Sequence, residues 1–210
     1  MKRFPGFPPE AFAKSDPSPD PLFYRQPRFV THIDDAAIAA VTNLYSDVVP
    51  AGGTILDLMS SWVSHLPEDM TFARVIGHGL NASELAATPR LTQHFVQDLN
   101  AAPHLPLDRA SVDTVLICVS VQYLQRPIDV LSDVARVLRP GAPVVIIFSN
   151  RCFPTKAVAI WNALDGVARA RLVERFLQDA GFVRTEVRVL IPEHGFSDPL
   201  TAAIGWASAA

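Results

Sequence analysis

Short apolar runs alternate with amphipathic stretches along most of this sequence. Residues 54–59, 74–80, 94–99, 112–120 and 144–149 each read as a strand bounded by turn-forming residues. The run 112–120 is almost wholly apolar, the pattern of a strand covered on both faces. Helical patterns lie between the strands. Asp34 and Asp35 open an alanine-rich helix running to about Val48, since acidic residues suit a helix start. Residues 60–66 read as a short helical turn, and 82–87 as a short helix with Asn81 as its N-cap. Residues 128–138 read as a helix that Pro127 starts and Pro140-Gly141 end. A helical region covers about 156–180 and stops at Gly181. Residues 185–191 and 201–208 read as two closing strands. Strands alternating with helices predict an α/β fold, a doubly wound sheet of about seven strands, mostly parallel, with helices on both faces. No full helix separates the last two strands, so an antiparallel strand is expected near the C-terminus.

Residues 1–33 have a different character. Six prolines fall within 1–21, and the stretch from Leu22 to Val30 is aromatic and basic. This reads as an N-terminal arm or lid, ordered where it packs on the domain or on a neighbouring subunit. A single domain is expected over 34–210, because 210 residues fit one core. With 49% apolar and only 19% charged residues, the chain is neither disordered nor a coiled coil. A formal net charge of −3 gives no electrostatic case for nucleic acid or an anionic membrane surface as an obligatory partner. The wholly apolar stretches are far too short to span a bilayer. Pro5, Gly6, Pro8 and Pro9 break any apolar run behind the basic start Met1-Lys2-Arg3. No targeting segment is therefore predicted, and a cytoplasmic location is expected. The two cysteines, Cys118 and Cys152, do not read as a disulfide framework. The six histidines show no metal-ligand spacing, so no metal site is predicted.

Ligands of a doubly wound sheet bind beyond the carboxyl ends of the strands, near the point where strand order reverses. Polar side chains collect at those ends here. Asp57, Met59, Ser60, Ser61 and Trp62 close the first strand; Gly79 and Asn81 follow the second; Asp98, Leu99 and Asn100 follow the third. Ser120, Gln122 and Tyr123 follow the fourth, and Asn150 and Arg151 the fifth. Trp62 reads either as a ligand-stacking ring or as a buried core residue.

Four stretches, in order, resemble the class I S-adenosylmethionine-dependent methyltransferases, especially their small-molecule "type 11" branch. Gly53-Thr54-Ile55-Leu56-Asp57-Leu58 is similar to that family's first strand. Gln97-Asp98-Leu99, then Leu105-Pro106-Leu107-Asp108 and Ser111-Val112-Asp113-Thr114-Val115, resemble its passage from the third strand to the fourth. Val121-Gln122-Tyr123-Leu124 resembles the segment after the fourth strand. Val134-Ala135-Arg136-Val137-Leu138-Arg139-Pro140-Gly141 resembles the end of the helix that follows. The stretches together cover roughly residues 35–190.

The resemblance implies a Rossmann-like domain, S-adenosyl-L-methionine as cofactor, and direct methyl displacement onto a small-molecule acceptor. Alignment of the reactants does most of the work in such a step. It further implies that Asp57 orients the methionine end of the donor and that Ser60 and Ser61 offer hydroxyls and amides to its carboxylate. Asp98 and Leu99 take the adenine edge. Met59, Gly79, Asn81 and Ser120 complete the donor pocket. Tyr123 and Arg151 are the candidate acceptor contacts, and His32, in the arm, is the candidate catalytic group of a lid. A homodimer through the arm is a further expectation.

Two departures stand beside the resemblance. Where the family has a glycine-rich loop after the first strand, Met59, Ser61 and Val63 stand here; they add bulk and remove easy access to positive φ. Where the family has an acid that binds the ribose hydroxyls, Gly79 stands, with Asn81 and Glu84 as the nearest substitutes. These departures motivate an alternative, a non-catalytic or re-purposed module of the same fold that no longer binds the methyl donor in the usual way. A nicotinamide-dependent dehydrogenase is disfavoured, because no G-x-G-x-x-G turn follows the first strand.

Overall fold

The computed structural model describes residues 6–8 and 10–209; Met1-Lys2-Arg3, Pro5 and Pro9 of the arm lie outside the described residues. Seven strands form one sheet: β1 (Thr54–Asp57), β2 (Arg74–Gly79), β3 (Gln93–Val96), β4 (Thr114–Cys118), β5 (Pro143–Phe148), β6 (Arg184–Ile191) and β7 (Leu200–Trp206). Their order across the sheet is β3-β2-β1-β4-β5-β7-β6. The first five are parallel. β7 runs antiparallel to both β5 and β6, as the short link between the last two strands requires. Six helices accompany the sheet among the described residues: α1 (Asp20–Phe23), α2 (Asp35–Val48), α3 (Ala82–Ala86), α4 (Pro127–Val137), α5 (Ala159–Ala163) and α6 (Gly166–Asp179).

Successive residues of a strand point to opposite faces, and here both faces are covered. Val115, Ile117, Val144 and Ile146 join one core with Val130 and Val134 of α4 and Val173 and Leu177 of α6. Their neighbours Leu116, Val145 and Ile147 join a second core with Val41, Leu44 and Tyr45 of α2. That is why the central strands read as unbroken apolar runs. Asp34 caps α2 by accepting a hydrogen bond from the Ala37 amide at 2.8 Å.

Two expected helices take a different form. Residues 60–66 make no helical turn. The amides that would start one bond to β2 instead: Met59 N donates to His78 Nδ1 at 3.0 Å and Ser60 N to the His78 carbonyl at 2.6 Å. The expected helix over 156–180 is two, α5 and α6. Asp165 breaks it, because its carboxylate accepts from the Ala168 amide at 2.8 Å and restarts the helix as an N-cap.

The arm folds back on its own domain. Ala11 and Phe12 are buried in the first core, and the rings of Phe7, Phe12 and Phe176 pack together. Further along, Lys156 is wholly buried and pins the arm by donating to the Ser18 carbonyl (2.7 Å) and hydroxyl (3.0 Å), with Asp16 at 3.1 Å and Asp20 at 3.6 Å. Asp20 also pairs with Lys14 and accepts from Asn100.

Candidate functional site

Strand order reverses between β1 and β4, where the loops leaving the two strands diverge and a crevice opens. A cavity of about 470 Å³ lies there, within the roughly 300–1,000 Å³ usual for small-molecule sites. The candidate donor, acceptor and lid residues line it: His32, Asp57, Met59, Ser60, Ser61, Gly79, Asn81, Asp98, Leu99, Ser120, Tyr123 and Arg151; Trp62 and Gln122, also at strand ends, do not. The parallel strands end side by side, and this alone brings together residues a hundred positions apart.

Asp57 closes β1 and is buried. Burial pushes its carboxyl up to about 6, against the pull of the Ser60 hydroxyl, which donates to it at 3.0 Å. The next turn passes through Met59 at φ 58°, the left-handed region that glycine favours. The backbone of a glycine loop is thus kept with a side chain added to it. The turn is fastened to β2 by His78, whose Nδ1 accepts from Met59 N while Nε2 donates to the Gln97 carbonyl at 2.9 Å. Those two bonds fix the neutral tautomer, and burial holds the imidazole down at about 4.

The same close approach explains Gly79. A Cβ built there would lie 2.5 Å from the Ser60 carbonyl oxygen, so an acidic side chain cannot stand at the end of β2 without moving the loop. The polar groups next in line are engaged with the arm. Asn81 caps α3 through Oδ1 and donates from Nδ2 to the carbonyls of Tyr24 (2.9 Å) and Arg25 (3.1 Å). Glu84 accepts from the Arg28 amide at 2.7 Å and the Ser61 hydroxyl at 2.6 Å. Trp62 stacks on no ligand-facing wall; its ring meets Phe29 edge-on and its Nε1 donates to the Val30 carbonyl at 3.0 Å.

At the end of β3, Asp98 accepts from the Asn100 amide at 2.9 Å and Leu99 is buried. At the end of β4, Val119 is a β-branched residue at φ 43°, and Gln122 holds its carbonyl with a 2.8 Å hydrogen bond. The neighbouring Ser120 is buried and its hydroxyl has no hydrogen-bond partner among the described residues. Strained backbone at Met59 and Val119 therefore flanks the cavity on both sides of the switch point, at a cost of about 1–3 kcal/mol each. Cys118 also lines the cavity, but burial pushes its thiol up to about 12, which rules it out as a ready thiolate nucleophile.

The far wall is aromatic. Tyr123 and Phe153 stack with centroids 6.2 Å apart, Tyr24 lies 6.4 Å from each, and His32 meets Phe153 edge-on at 5.6 Å. The Tyr123 hydroxyl accepts from the Phe153 amide, and burial pushes it up to about 12, so it stays protonated. Burial lowers His32, which leaves it neutral at pH 7. The Arg151 side chain is 62% exposed, with Asp198 3.7 Å away. Sequence reasoning missed Tyr24, Arg28 and Phe153. The aromatic and basic run from Leu22 to Val30 signalled that the arm was pinned, but no local pattern marks Phe153. Among the described residues, no group of three or more His, Cys, Asp or Glu is arranged to hold a metal ion, and no helix is long and apolar enough to cross a membrane.

Residues 60–146 match the family model of a methyltransferase domain. This is the fold of the class I S-adenosylmethionine-dependent methyltransferases. A S-adenosylmethionine-dependent methyltransferase from Archaeoglobus fulgidus is similar at TM-score 0.60 and 13% identity, over 82% of this chain and 94% of that one. Phosphoethanolamine N-methyltransferase 2 of Haemonchus contortus, in complex with S-adenosyl-L-methionine, is similar at TM-score 0.59 and 14% identity, over 81% of this chain and 52% of that one. The cyclase SpnF is similar at TM-score 0.61 and 13% identity, over 81% of each chain. No curated protein sequence matches this chain.

Proposed function

We propose that this methyltransferase domain moves a methyl group from S-adenosylmethionine to a small-molecule acceptor held under the arm. The observation that carries the reading is one cavity at the switch point, lined from end to end by the candidate donor and acceptor residues. The residues fit the cofactor on two counts. Ser120 offers a buried hydroxyl with no partner of its own, and Asp57 offers a buried carboxylate beside a turn that keeps the glycine-loop backbone. When bound, S-adenosylmethionine supplies a methyl group on a positively charged sulfur.

The chain's own residues do the rest. Asp57 and Ser120 hold the methionine end, and Met59, Ser60 and Ser61 shape the wall beside it, since the Met59 and Ser60 amides are donated to His78 and the two serine hydroxyls to Asp57 and Glu84; Gly79, Asn81 and Glu84 surround the ribose; Asp98 and Leu99 meet the adenine. Each Glu84 oxygen keeps a lone pair beyond the bond it already accepts, so the arm's use of it does not exhaust it. The arm excludes water, which favours reaction between a cation and a desolvated nucleophile. Neutral His32 takes a proton from the acceptor where one must leave. Tyr123, held protonated, positions the acceptor, and exposed Arg151 attracts anionic acceptors to the cavity mouth. The enclosure under the arm supports a small acceptor over a macromolecular one, and an arm folded onto its own domain supports a lid acting within one chain.

Calorimetric titration with S-adenosylhomocysteine and S-adenosylmethionine tests the reading. Micromolar binding that Asp98→Ala abolishes is the expected result. Affinity for S-adenosylmethionine also falls as pH drops below about 6, roughly tenfold per unit, as the Asp57 carboxylate is protonated. In Asp57→Asn that dependence is flat. A second reading, a re-purposed module of the same fold, draws on the side chain at Met59 and on the arm's hold on Asn81 and Glu84. Absence of binding up to millimolar ligand, in folded protein, selects it.

A further inference from the structure

One cation in this cavity is left without an anion. Arg28 lines the cavity, and its guanidinium lies over the rings of Phe23 (4.6 Å), Phe153 (5.4 Å) and Tyr24 (5.7 Å). Nη2 donates to the Phe23 carbonyl at 3.0 Å. Nη1 is buried and has no hydrogen-bond partner among the described residues, and no salt bridge among them involves Arg28. The acids nearby are committed elsewhere. Asp20 serves Lys14 and Lys156, and Glu84 accepts from the backbone amide of Arg28 and from Ser61. Rings hold the faces of a guanidinium well, but they do not satisfy its N–H edge. An enclosed donor left unpaired is costly, and the planar fork of an arginine matches a carboxylate.

We propose that Arg28 is the docking group for a ligand carboxylate in this cavity. The inference rests on the methyl-transfer reading for the identity of the ligands. The carboxylate has two sources, an acidic acceptor or the amino-acid end of the donor. The surroundings favour the acceptor: the Arg28 amide bonds to Glu84 after β2, but its guanidinium is wedged among Phe153, which follows β5, and Tyr24, which packs on Tyr123 after β4. Stacked Tyr123 and Phe153 complete a wall suited to a planar acid, with Arg28 taking its carboxylate and His32 beside it.

Full-length protein, wild type and Arg28→Gln, is titrated with S-adenosylhomocysteine and with 5′-methylthioadenosine, which lacks the amino-acid carboxylate. Protein loaded with S-adenosylhomocysteine is then given benzoate or its neutral counterpart benzamide, with melting temperature as readout. The expected result is that benzoate stabilises loaded wild-type protein and benzamide does not, and that Arg28→Gln erases the difference while binding S-adenosylhomocysteine within about twofold of wild type. If Arg28→Gln instead weakens S-adenosylhomocysteine about tenfold or more and leaves 5′-methylthioadenosine unchanged, the docking role stands and the carboxylate is the donor's. If neither comparison separates wild type from Arg28→Gln, Arg28 docks no carboxylate and the proposal is overturned. Arg28→Lys keeps the charge and guards against a folding defect, and the benzoate-to-benzamide contrast is insensitive to a general loss of stability. Failure of both nucleosides to bind wild-type protein sinks the methyl-transfer reading instead, and the contrast on unloaded protein still decides the role of Arg28.

Discussion

The sheet and the arm that covers its edge are held by different forces. Strands β1, β4 and β5 are packed on both faces by aliphatic side chains, and their stability scales with buried area, at roughly 25 cal/mol per Å². Beyond the Phe7–Phe12–Phe176 cluster and the rings of Phe23, Tyr24 and His32 that lean on Phe153 and Tyr123, the arm is held by a few polar links: Lys156 on Ser18, Asp16 and Asp20; Asn81 on the carbonyls of Tyr24 and Arg25; Glu84 on the Arg28 amide; Trp62 on the Val30 carbonyl. Apolar burial is diffuse and survives the loss of any one contact. Polar links are discrete, directional and removable one at a time. A covering segment held in the second way can open over the cavity while the domain beneath stays folded, which is what ligand entry under an arm requires.

Removing the strongest link tests that distinction most severely. Lys156→Met keeps the volume and deletes the charge, and leaves Asp16 and the Ser18 carbonyl without their partner. Losing charge-assisted hydrogen bonds costs about 1.5–3 kcal/mol, and no buried charge is stranded, because Asp20 retains Lys14 and Asn100 and Asp16 is partly exposed. Hydrogen exchange at residues 10–30 should speed up by about one to two orders of magnitude, while β1, β4 and β5 keep their protection. If exchange rises equally in the strands, arm and sheet form one cooperative unit and the contrast fails.

The two parts were also unequally visible in the sequence. All seven strands were legible: burial on both faces writes the central strands as apolar runs, and the more exposed edge strands β3 and β6 are marked by the turn residues around them. The gathering of the candidate donor residues around one cavity followed, since strand ends in a parallel sheet lie together whatever the loops do. The Lys156 and Arg28 contacts were not legible. Lys156 meets Asp16 and Ser18 from 140 and 138 positions away, and no periodicity links such residues. The missing helix at 60–66 shows the same limit. Local propensity allowed a turn of helix, but His78, which captures the Met59 amide, lies on another strand. Gly79 read as the loss of a ribose acid, whereas the loop carbonyl packed against it is what demands glycine.

A second test asks whether the sheet's carboxyl edge behaves like the apolar core or like the arm. Two buried groups there titrate in opposite senses. His78 is held at about 4, against 6.5 when exposed, so between those values the unfolded chain binds more protons and stability rises with pH by about 3 kcal/mol. Asp57 is raised from 3.8 to about 6, so across that window the folded chain binds more protons and stability falls with rising pH by about 3 kcal/mol. The two contributions nearly cancel in the wild type. Urea denaturation of Asp57→Asn should expose the His78 contribution, with stability climbing from pH 4 to 6.5. In His78→Gln the slope should reverse, with stability falling from pH 3.8 to 6. Flat profiles in both variants would show that the edge is wetter than its burial implies.

The smallest effect on stability carries the most information about the cavity. Met59 sits at φ 58°, a conformation that costs an L-residue about 1–2 kcal/mol, and its side chain packs partly against the first core. Met59→Gly relieves that strain, gives up the packing, and adds roughly 0.5–1 kcal/mol of unfolded-state entropy. These terms oppose one another, so the melting temperature should move by only a few degrees. Binding should respond more. If the methionine merely occupies space that a glycine loop leaves open to the donor, affinity for S-adenosylhomocysteine should tighten several-fold in Met59→Gly. A looser complex would mean that the Met59 side chain is itself a wall of the donor site. The cavity would then be a glycine-loop pocket rebuilt around a larger residue, with the backbone turn retained because His78 and Gly79 fix it from β2.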